Sequence, residues 1–462
     1  MDSRKNTTHL YRFNFNNIDN TSQFDELIKE FLQPTEYGEN GENLLEYDFQ
    51  GDKEDVKRQI YRDLSGLTGK SPKWGILTGI RPVKLAGEIA DRGEDPKRVL
   101  MEQYLVHESK ADLVCDILKY QRETAGKPDP KSLSVYIGIP FCPTRCLYCS
   151  FTSNQVEQDA MEPYLQALGK EIDYAGAAAK EAGYSIETLY FGGGTPTSLN
   201  EEQLDRLLSR VSGAFALGGV KEYTVEAGRP DTITDGKLQV LIDHGVDRIS
   251  INPQSMKQKT LDLIGRRHTV EDVYKAFEMA HRAGIEVINA DLIAGLPEET
   301  EEDFAHSLEE IIRLGAGNIT LHTLAVKRAS RLKEMDENFN YKDEALRERM
   351  LADAHERLRS RGYRPYYLYR QKHTSGNTEN TGFCKDGRPG LYNIRIMEEA
   401  QSNLALGAGG ISKIYFPAEN RLERVANVSN YEIYIDRIDE MIERKRRGFF
   451  EQKAVTKEEQ TC

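Results

Sequence analysis

From about residue 133 to residue 325, short apolar runs alternate with longer stretches in which apolar residues recur every three or four positions. The short runs predict strands, and the longer stretches predict amphipathic helices. The six predicted strands are residues 134–139, 188–191, 222–226, 248–251, 287–293 and 318–325. The helices predicted between them include residues 161–182, 201–214, 235–244, 270–283 and 302–314.

Six successive βα units favour parallel strands that are joined by right-handed crossover helices. Such a chain forms either a barrel or an open doubly wound sheet, and the periodicity leaves both architectures open. In both, the active site is built from the loops at the carboxyl ends of the strands. The predicted fold class is therefore α/β, with functional residues expected directly after the strands.

The segments on either side of this repeat predict separate structural units. Residues 1–130 predict an N-terminal α/β domain, with strands at 10–15 and 44–49, helices at 23–32, 52–67, 82–92 and 96–123, and a linker at 126–130. Beyond residue 340, the pattern predicts helices at 341–361 and 429–447, with an aromatic segment at 363–369 and a glycine-rich stretch at 404–411 between them. We interpret residues 131–340 as the core barrel and 341–462 as a C-terminal subdomain that covers the barrel mouth.

The charge of the chain argues against some classes of function. Its 462 residues carry a formal net charge of −13 at pH 7, which does not suit a general nucleic-acid binder. The short basic run at 444–447 is interpreted as a solvated helix end. The N-terminal residues lack a signal-peptide pattern, and no apolar stretch approaches the roughly 20 residues of a membrane-spanning helix. The expectation is a cytoplasmic protein without a membrane span.

Three of the six cysteines, Cys142, Cys146 and Cys149, lie close together directly after the first predicted strand of the repeat. In a large cytoplasmic chain this clustering indicates a metal site rather than a disulfide framework. With the spacing C-x3-C-x2-C, three thiolates can bind three irons of a [4Fe–4S] cubane and leave the fourth iron open. Structural zinc is the competing interpretation, but it needs four ligands, and no fourth Cys or His follows at an ordinary spacing.

The sequence YIGIPFCPTRCLYCSFTSN resembles the radical S-adenosylmethionine (SAM) superfamily in its cysteine spacing, its preceding strand and the aromatic residue before the third cysteine. Within that superfamily, roughly residues 130–420 resemble the family of the oxygen-independent coproporphyrinogen III dehydrogenase HemN, and the long N-terminal region is most similar to the HemZ branch. The resemblance implies a partial (β/α)6 radical SAM barrel, with a [4Fe–4S] cluster and SAM as cofactors. It also implies that reductive cleavage of SAM gives methionine and a 5′-deoxyadenosyl radical, which abstracts hydrogen from the substrate.

The resemblance further implies which residues contact SAM. They are Tyr136, Tyr148, Gly192, Gly193, Gly194, Thr195, Glu226, Gln254, Arg266, Asp291, Ile293 and Ala325, of which Ile293 matches a position near a second bound SAM. The missing side chains of the glycine run would let the backbone approach the methionine end of SAM. A carboxylate can accept from the ribose hydroxyls or the amino group, and an arginine can pair with the SAM carboxylate. Tyr136 and Asp291 are also assigned catalytic roles.

Two positions depart from the patterns of neighbouring branches. HemN carries a further cysteine two residues after the third cluster ligand, where this chain has Phe151. HemW, the haem-chaperone branch, carries a His-Asn pair followed by Tyr-Trp, whereas this chain has Tyr392 before Asn393, and its only tryptophan is Trp74. These departures weaken a direct transfer of either function.

Three functions therefore stay open. The favoured one is oxidative decarboxylation of coproporphyrinogen III propionates to vinyls. The alternatives are haem trafficking with the cluster retained, and radical SAM chemistry on haem or another tetrapyrrole, for instance methyl transfer and ring opening. The expected partners are a tetrapyrrole substrate and a one-electron donor such as flavodoxin or ferredoxin.

The basic residues after the sixth predicted strand have two interpretations. Lys327, Arg328 and Arg331 either bind the carboxylates of a substrate at the barrel mouth or form a solvated helix start. If they do not bind the substrate, Arg388 and Arg395 of the C-terminal subdomain are the next candidates.

The other cysteines and histidines give weaker signals. Cys115 is interpreted as a core residue of a helix, and Cys384 as a free thiol in a polar loop. Among the histidines, His322 is the candidate active-site residue, because it lies at a predicted strand end.

Overall fold

The computed structural model describes residues 10–18, 20–49, 51–79, 81–149, 153–324, 344–371 and 378–451. The strands, numbered in chain order, are β1 Tyr11–Asn16, β2 Asn43–Asp48, β3 Ser132–Ile139, β4 Ser185–Gly193, β5 Glu222–Glu226, β6 Arg248–Ser250, β7 Val287–Ala294, β8 Asn318–Thr323, β9 Arg364–Arg370, β10 Glu379–Cys384, β11 Ser402–Leu406, β12 Ile411–Phe416 and β13 Arg421–Ala426. The helices are α1 Ser22–Ile28, α2 Lys53–Thr68, α3 Pro82–Asp91, α4 Pro96–Glu102, α5 Glu108–Thr124, α6 Gln158–Glu181, α7 Glu201–Ala214, α8 Asp235–Asp243, α9 Gln258–Leu263, α10 Val270–Ala283, α11 Glu301–Arg313, α12 Glu344–Ser360, α13 Leu391–Glu398, α14 Tyr431–Asp436 and α15 Ile438–Lys445.

One large sheet organises the molecule, with the strand order β13-β12-β11-β3-β4-β5-β6-β7-β8-β10-β9. Strands β3 to β8 are parallel, as predicted, and β11 joins them in parallel beside β3. Antiparallel pairs, β12–β13 and β10–β9, extend the two edges. Within the ranges given above, the sheet does not close on itself. The predicted α/β class with a partial barrel is therefore confirmed.

Side-chain caps determine where three of the crossover helices begin. Asn200, Thr269 and Thr300 each form a capping box, in which the N-cap side chain accepts from the N3 backbone and the N3 side chain accepts from the N-cap backbone. Helices α7, α10 and α11 start at the next residue in each case. The predicted bounds agree with the structure for α7 and α10 and differ by one residue for α11.

The helix predicted over residues 96–123 is two helices, α4 and α5. Between them, Leu105 adopts a left-handed conformation with φ of 56°. The carbonyl of Tyr104 accepts from Ile76 N at 2.8 Å, and His107 N donates to Lys73 O at 2.8 Å. These backbone groups are satisfied by a distant segment instead of the helix, which apolar periodicity does not reveal.

The N-terminal region is joined to the β9–β10 edge by a buried ion pair. Lys110 of α5 pairs with Glu379 of β10, and Trp74 Nε1 donates to the same carboxylate at 3.1 Å. Burial raises the pKa of Glu379, but Lys110 outweighs it and the pKa falls to about 2. Leu368 of β9 packs in the same apolar cluster as Trp74. The domain bounds given under Sequence analysis stay a prediction.

Helix α13 lies at the amino-terminal ends of the central strands. Leu391 N donates to the carboxylate of Glu222, the first residue of β5. Arg395 Nε lies 2.9 Å from Glu187 Oε2, near the start of β4. The expectation that the C-terminal region covers the barrel mouth is therefore wrong for α13, which contacts the opposite end of the strands.

The last helices are fastened to α6 by a second buried ion pair. Lys445 Nζ lies 2.6 Å from Glu171 Oε1, and both side chains are inaccessible to solvent. Lys445 lies on the same face of α15 as the buried residues Ile438 and Met441. The interpretation of 444–447 as a solvated helix end is therefore wrong for Lys445, while the three arginines of the run pair with surface glutamates.

Within the part of the chain that the structure describes, no helix has both the length and the apolar composition that crossing a membrane requires.

Candidate active site

Residues alternate between two faces along the central strands. Side chains such as Val135, Leu189 and Ile319 pack with the helices in the main hydrophobic core. Most of the alternate positions are polar, aromatic or small: Ser134, Tyr136, Gly138, Thr188, Tyr190, Gly192, Thr224, Glu226, Ser250, Asn289, Asp291, Thr320 and His322. Because the strands are parallel, their carboxyl ends meet at one edge, where an α/β protein binds its ligands.

The cysteine loop begins where β3 ends, and backbone hydrogen bonds join its first residues to its last ones. Cys142 N donates to Asn154 O at 3.0 Å, and Asn154 N donates to Pro140 O at 2.9 Å. The hydroxyl of Thr195, in the loop after β4, lies 3.5 Å from Cys142 Sγ. A Cβ on Gly194 would approach that sulfur to 2.9 Å, so a side chain there would collide with the loop.

The other two glycines of the run also have neighbours within the protein. Gly193 has φ of 109°, a conformation that favours glycine. A Cβ on Gly192 would lie 3.0 Å from the ring of Tyr190 and 3.2 Å from the carboxyl carbon of Glu226. The run is thus explained by close packing alone, and its contact with SAM stays a prediction.

Two buried arginines from other loops brace the cysteine loop. Arg229, after β5, donates to Thr144 Oγ1 at 2.6 Å. Arg266, after α9, donates from Nε and Nη2 to the hydroxyl of Tyr148, at 3.3 Å each. Arg229 thus holds Thr144, which lies between the first two cysteines, and Arg266 holds Tyr148, which lies between the second and the third.

The chemistry of the three cysteines fits a cubane cluster. Burial raises the pKa of Cys142 to about 11, and the charges of Cys149 and Cys146 add to this effect. The hydrogen bond from Thr195 lowers the pKa, as does the positive charge of Arg229. A buried thiol with a raised pKa needs a cation to hold it as a thiolate, and iron supplies one.

A cubane cluster requires less convergence of its protein ligands than a single metal ion does. Across the ranges that the structure covers, no three Cys, His, Asp or Glu side chains converge on one metal position. Each thiolate of a cubane binds a different iron, so the ligands need not converge. A cluster held by Cys142, Cys146 and Cys149 is therefore compatible with this loop.

Glu226 ends β5 beside three stacked tyrosines. The hydroxyl of Tyr190 donates to Glu226 Oε1 at 2.6 Å. The ring of Tyr190 lies 4.4 Å from that of Tyr392 and 6.1 Å from that of Tyr136, centroid to centroid. Burial raises the pKa of Glu226 to about 7, the hydrogen bond from Tyr190 lowers it, and the charge of Asp291 raises it. Near neutral pH this carboxyl can therefore exist in either charge state.

Asp291 and His322 lie side by side on β7 and β8. His322 Nε2 is 3.4 Å from Asp291 Oδ2, and Nδ1 is 3.2 Å from the hydroxyl of Tyr369. The imidazole thus lies between a carboxylate and a phenol, each within 3.4 Å of one ring nitrogen. Gln254 N donates to the backbone carbonyl of Asp291 at 2.9 Å, which holds the loop after β6 against β7.

Comparison with known proteins agrees with this geometry. The model of the radical SAM superfamily matches residues 136–311. The "Oxygen-independent coproporphyrinogen-III oxidase-like protein HemZ" of Bacillus subtilis is 40% identical over 392 residues, which cover 83% of this chain and 78% of that protein. This chain belongs to the radical SAM family of HemN, HemW and HemZ.

Two further relatives place it within that family. The "Heme chaperone HemW" of Bacillus subtilis is 36% identical over 195 residues, which cover 42% of this chain and 51% of HemW. The structure of coproporphyrinogen III oxidase (HemN) from Escherichia coli, described as a radical SAM enzyme, matches with a TM-score of 0.55 and 23% identity, over 70% of this chain and 73% of that one. The likeness to HemN shows the shared fold. As a member of the radical SAM superfamily, this chain uses a [4Fe–4S] cluster and SAM.

The residues predicted to contact SAM fall into two groups in this member of the family. Tyr136, Gly192, Glu226 and Asp291 share the inner face of the sheet. Tyr148, Arg266 and Ile293 lie beside the cysteine loop, where Ile293 packs with Tyr148. Ala325, Lys327, Arg328 and Arg331 lie outside the described residues. The SAM contacts themselves stay predictions.

Several residues of the site, or the contacts that they make, were not predicted from the sequence. Tyr190 lies two residues from Gly192, and Tyr369 lies two residues from Tyr367. Because side chains two residues apart on a strand share a face, this spacing could have predicted that both tyrosines lie on the inner face. Arg229 follows β5 and could have been found as a charged residue after a strand. Tyr392 is more than 200 positions away from Tyr190 in the sequence, and nothing in its local pattern predicts their contact.

Four expectations about other residues are wrong. Arg395 is buried in its pair with Glu187, and Arg388 pairs with Glu286 just before β7, so both lie at the amino-terminal ends of the strands, away from the mouth. Cys384 lies buried on β10 rather than in a polar loop, and its Sγ donates to the hydroxyl of Tyr120 at 3.3 Å. Cys115 is half-buried, since it faces a shallow surface cavity instead of the core.

Proposed function

We propose that this chain catalyses the oxygen-independent oxidative decarboxylation of coproporphyrinogen III, converting propionate side chains to vinyls. The observation that carries the proposal is the cysteine loop, braced by Arg229 and Arg266 at the end of a sheet whose inner face presents Glu226 and Asp291. The similarity to a HemZ protein that is named as coproporphyrinogen-III oxidase-like supports this substrate.

When bound, the [4Fe–4S] cluster and SAM supply one-electron cleavage of SAM and, from it, a radical that abstracts a hydrogen atom. Cys142, Cys146 and Cys149 would hold the cluster through their thiolates. Arg266 and the backbone of the glycine run would bind the carboxylate and amino group of SAM, and Glu226 and Asp291 its ribose hydroxyls. The buried tyrosines beside Glu226 would keep water away from the reacting carbon.

The substrate loses three components in this reaction. A hydrogen atom leaves the propionate carbon next to the ring, the carboxyl group leaves as carbon dioxide, and one electron passes to a one-electron acceptor. A flavodoxin or ferredoxin is the proposed donor of the electron that each SAM cleavage consumes. Lys327, Arg328 and Arg331 are the proposed partners of the remaining carboxylates.

Haem trafficking is the second candidate, because HemW, a haem chaperone, is 36% identical over part of this chain. Tyr392 argues against a simple transfer of that role. It occupies the place of the histidine in the HemW pattern, and its ring is packed against Tyr190. Radical chemistry on haem or another tetrapyrrole is a third outcome that the same assay would detect.

The test is anaerobic incubation of the cluster-loaded protein with SAM, a one-electron reductant and coproporphyrinogen III, with Cys146→Ala as the inactive control. The proposal expects carbon dioxide and methionine to form only with the wild-type protein. A parallel titration with haem separates the candidates. Stoichiometric haem uptake without release of carbon dioxide would favour trafficking, whereas consumption of haem with SAM cleavage would favour the third function.

A further inference from the structure

The orientation of the Glu226 carboxyl is restricted, because the hydroxyl of Tyr190 donates a hydrogen bond to it. We propose that Tyr190 is a positioning residue that fixes the Glu226 carboxylate for cofactor binding, and that Tyr392 of α13 fixes Tyr190 in turn. This inference rests on the proposed role of Glu226 as a SAM contact. It assigns a part in the active site to a C-terminal helix that lies at the opposite end of the strands.

The contact between Tyr190 and Glu226 is short and direct. At 2.6 Å, the hydroxyl donates to Oε1 of a carboxylate on the neighbouring strand. A hydrogen bond to an ionised acceptor is roughly twice as strong as a neutral one. Gly192 leaves the space that this contact needs, since a Cβ there would meet both the Tyr190 ring and the Glu226 carboxyl carbon. One carboxylate oxygen is thus occupied, and the other is left for a ligand.

The ring of Tyr190 is held between two others. Tyr392 stacks on it with an interplanar angle of 20°, and Tyr136, its partner in the β3–β4 register, lies nearly parallel at 17°. Tyr136 and Tyr392 are 6.3 Å apart, so the three rings form a compact triangle. Stacked aromatic pairs contribute beyond their buried area, which restricts the torsions that direct the Tyr190 hydroxyl.

Helix α13 is anchored firmly enough to act as the support of Tyr392. Arg395 pairs with Glu187 and also donates from its two Nη atoms to the carbonyls of Ala125 and Gly126, at 2.8 Å each. Leu391 N donates to the Glu222 carboxylate. These contacts connect α13 to the starts of β4 and β5, the strands that carry Tyr190 and Glu226.

The charge state of Glu226 gives this arrangement a measurable signature. The titratable groups that face Glu226 are Tyr136, Tyr190 and Tyr392 from β3, β4 and α13, and Asp291 from β7. The Tyr190 O–H favours the ionised form and so lowers the pKa of Glu226, which burial has raised to about 7. Removing that O–H should therefore raise the pKa further and leave less carboxylate at neutral pH.

The experiment uses conservative variants of the full chain loaded with its cluster. Tyr190→Phe keeps the ring and removes the hydroxyl, Tyr392→Leu removes the stacked ring, and Tyr392→Phe keeps it. Tyr223→Phe is the matched control, because the Tyr223 hydroxyl is buried and has no hydrogen-bond partner among the described residues. SAM affinity is measured from the change in the electron paramagnetic resonance spectrum of the reduced cluster. Ionisation of Glu226 is followed by isotope-edited infrared spectroscopy, with Glu226→Gln to identify the band.

The proposal expects Tyr190→Phe to bind SAM about 10-fold more weakly and to titrate Glu226 about one pH unit higher than the wild type. Tyr392→Leu should shift both the SAM affinity and the Glu226 titration in the same direction, and by more than Tyr392→Phe does, whereas Tyr223→Phe should stay near wild type. If Glu226→Gln weakens SAM binding but Tyr190→Phe changes neither quantity, the positioning role is overturned. If Tyr190→Phe shifts the titration while Glu226→Gln leaves SAM affinity unchanged, the hydrogen bond between Tyr190 and Glu226 stands, but the SAM contact of Glu226 is overturned, and the positioning role for cofactor binding is overturned with it.

Discussion

Arg266 Nε and Nη2 both lie 3.3 Å from the hydroxyl of Tyr148, which ties the loop after α9 to the residue between the second and third cysteines. The guanidinium also donates to the Gly228 carbonyl at 3.3 Å, so it bridges two loops at the carboxyl ends of the strands. Since Nη1 also lies 3.4 Å from His268 Nδ1, this buried cation organises the cysteine loop and keeps one Nη2 N–H for an anionic ligand.

Replacing Arg266 with Lys tests that arrangement, because lysine keeps the charge and loses the planar fork. We expect SAM affinity to fall about 10-fold, with the iron content of the protein unchanged. The neighbouring Arg267, which is exposed, provides the control Arg267→Lys, for which no change is expected. Equal SAM affinity in the two variants would remove Arg266 from the cofactor site.

The cluster itself depends on three thiolates. Cys142→Ala, Cys146→Ala and Cys149→Ala should each abolish a SAM-responsive [4Fe–4S] signal, since no fourth cysteine lies between residues 142 and 149. Cys115→Ala and Cys384→Ala should keep the signal, as should Cys462→Ala, whose position lies outside the described residues. Four irons and an undiminished response to SAM in Cys146→Ala would contradict the assignment. Iron analysis measures the iron content, and electron paramagnetic resonance measures the response of the cluster to SAM.

Asp291 and His322 should contribute to SAM binding as a coupled pair. Asp291→Asn should weaken SAM binding about 10- to 100-fold if a charge-assisted hydrogen bond is lost. His322→Phe should cause part of the same loss, because its Nε2 lies 3.4 Å from Asp291 Oδ2. His322→Gln, which can still donate, should recover some of that affinity. In the double variant Asp291→Asn with His322→Phe, the losses should not add; full additivity would show that the two side chains act separately.

The buried pair of Glu171 and Lys445 predicts a pH-dependent stability. Lys445→Met would leave an uncompensated buried carboxylate and should cost about 3–5 kcal/mol at neutral pH. Burial raises the pKa of Glu171, but Lys445 and the hydrogen bonds outweigh it, so the pKa lies below the usual 4.5. Its contribution to stability is therefore present above pH 4.5 and is lost as the pH falls.

In Lys445→Met, burial without a cation raises the pKa of the Glu171 carboxyl, so the carboxyl takes up a proton as the pH falls and the penalty is relieved. The difference between wild type and Lys445→Met should therefore shrink between pH 7.5 and pH 4 in parallel thermal unfolding measurements. The double variant Glu171→Gln with Lys445→Met removes both charges and should regain part of the lost stability. A difference that is independent of pH would mean that lost packing, rather than the unpaired charge, causes the destabilisation.

Much of the central sheet could be predicted because its strands and helices are determined by residues that are close together in the sequence. Strands β3 to β8 alternate apolar and polar residues, and helices α7, α10 and α11 follow capping residues, so strand and helix positions could be read from the sequence. The cysteine spacing likewise lies within eight consecutive residues. These signals need no knowledge of how distant segments meet.

The features that could not be predicted depend on contacts between distant segments. Tyr392 reaches Tyr190 only because α13 docks at the starts of the strands, and its sequence pattern does not indicate which end of the sheet it covers. Lys445 looks like part of a basic surface run until α15 places it against Glu171. The sequence predicts that Cys384 lies in a polar segment, yet β10 buries it beside α5.

The most direct measurement of the proposed function follows a hydrogen atom from substrate to cofactor. Coproporphyrinogen III, deuterated at the propionate carbons next to the ring, is incubated anaerobically with cluster-loaded protein, SAM and reductant, and the 5′-deoxyadenosine formed is analysed by mass spectrometry. We expect one deuterium in 5′-deoxyadenosine, together with carbon dioxide and a vinyl-bearing product, and none of these with Cys146→Ala. Unlabelled 5′-deoxyadenosine without carbon dioxide, from protein whose cluster responds to SAM, would contradict the assignment of coproporphyrinogen III as the substrate.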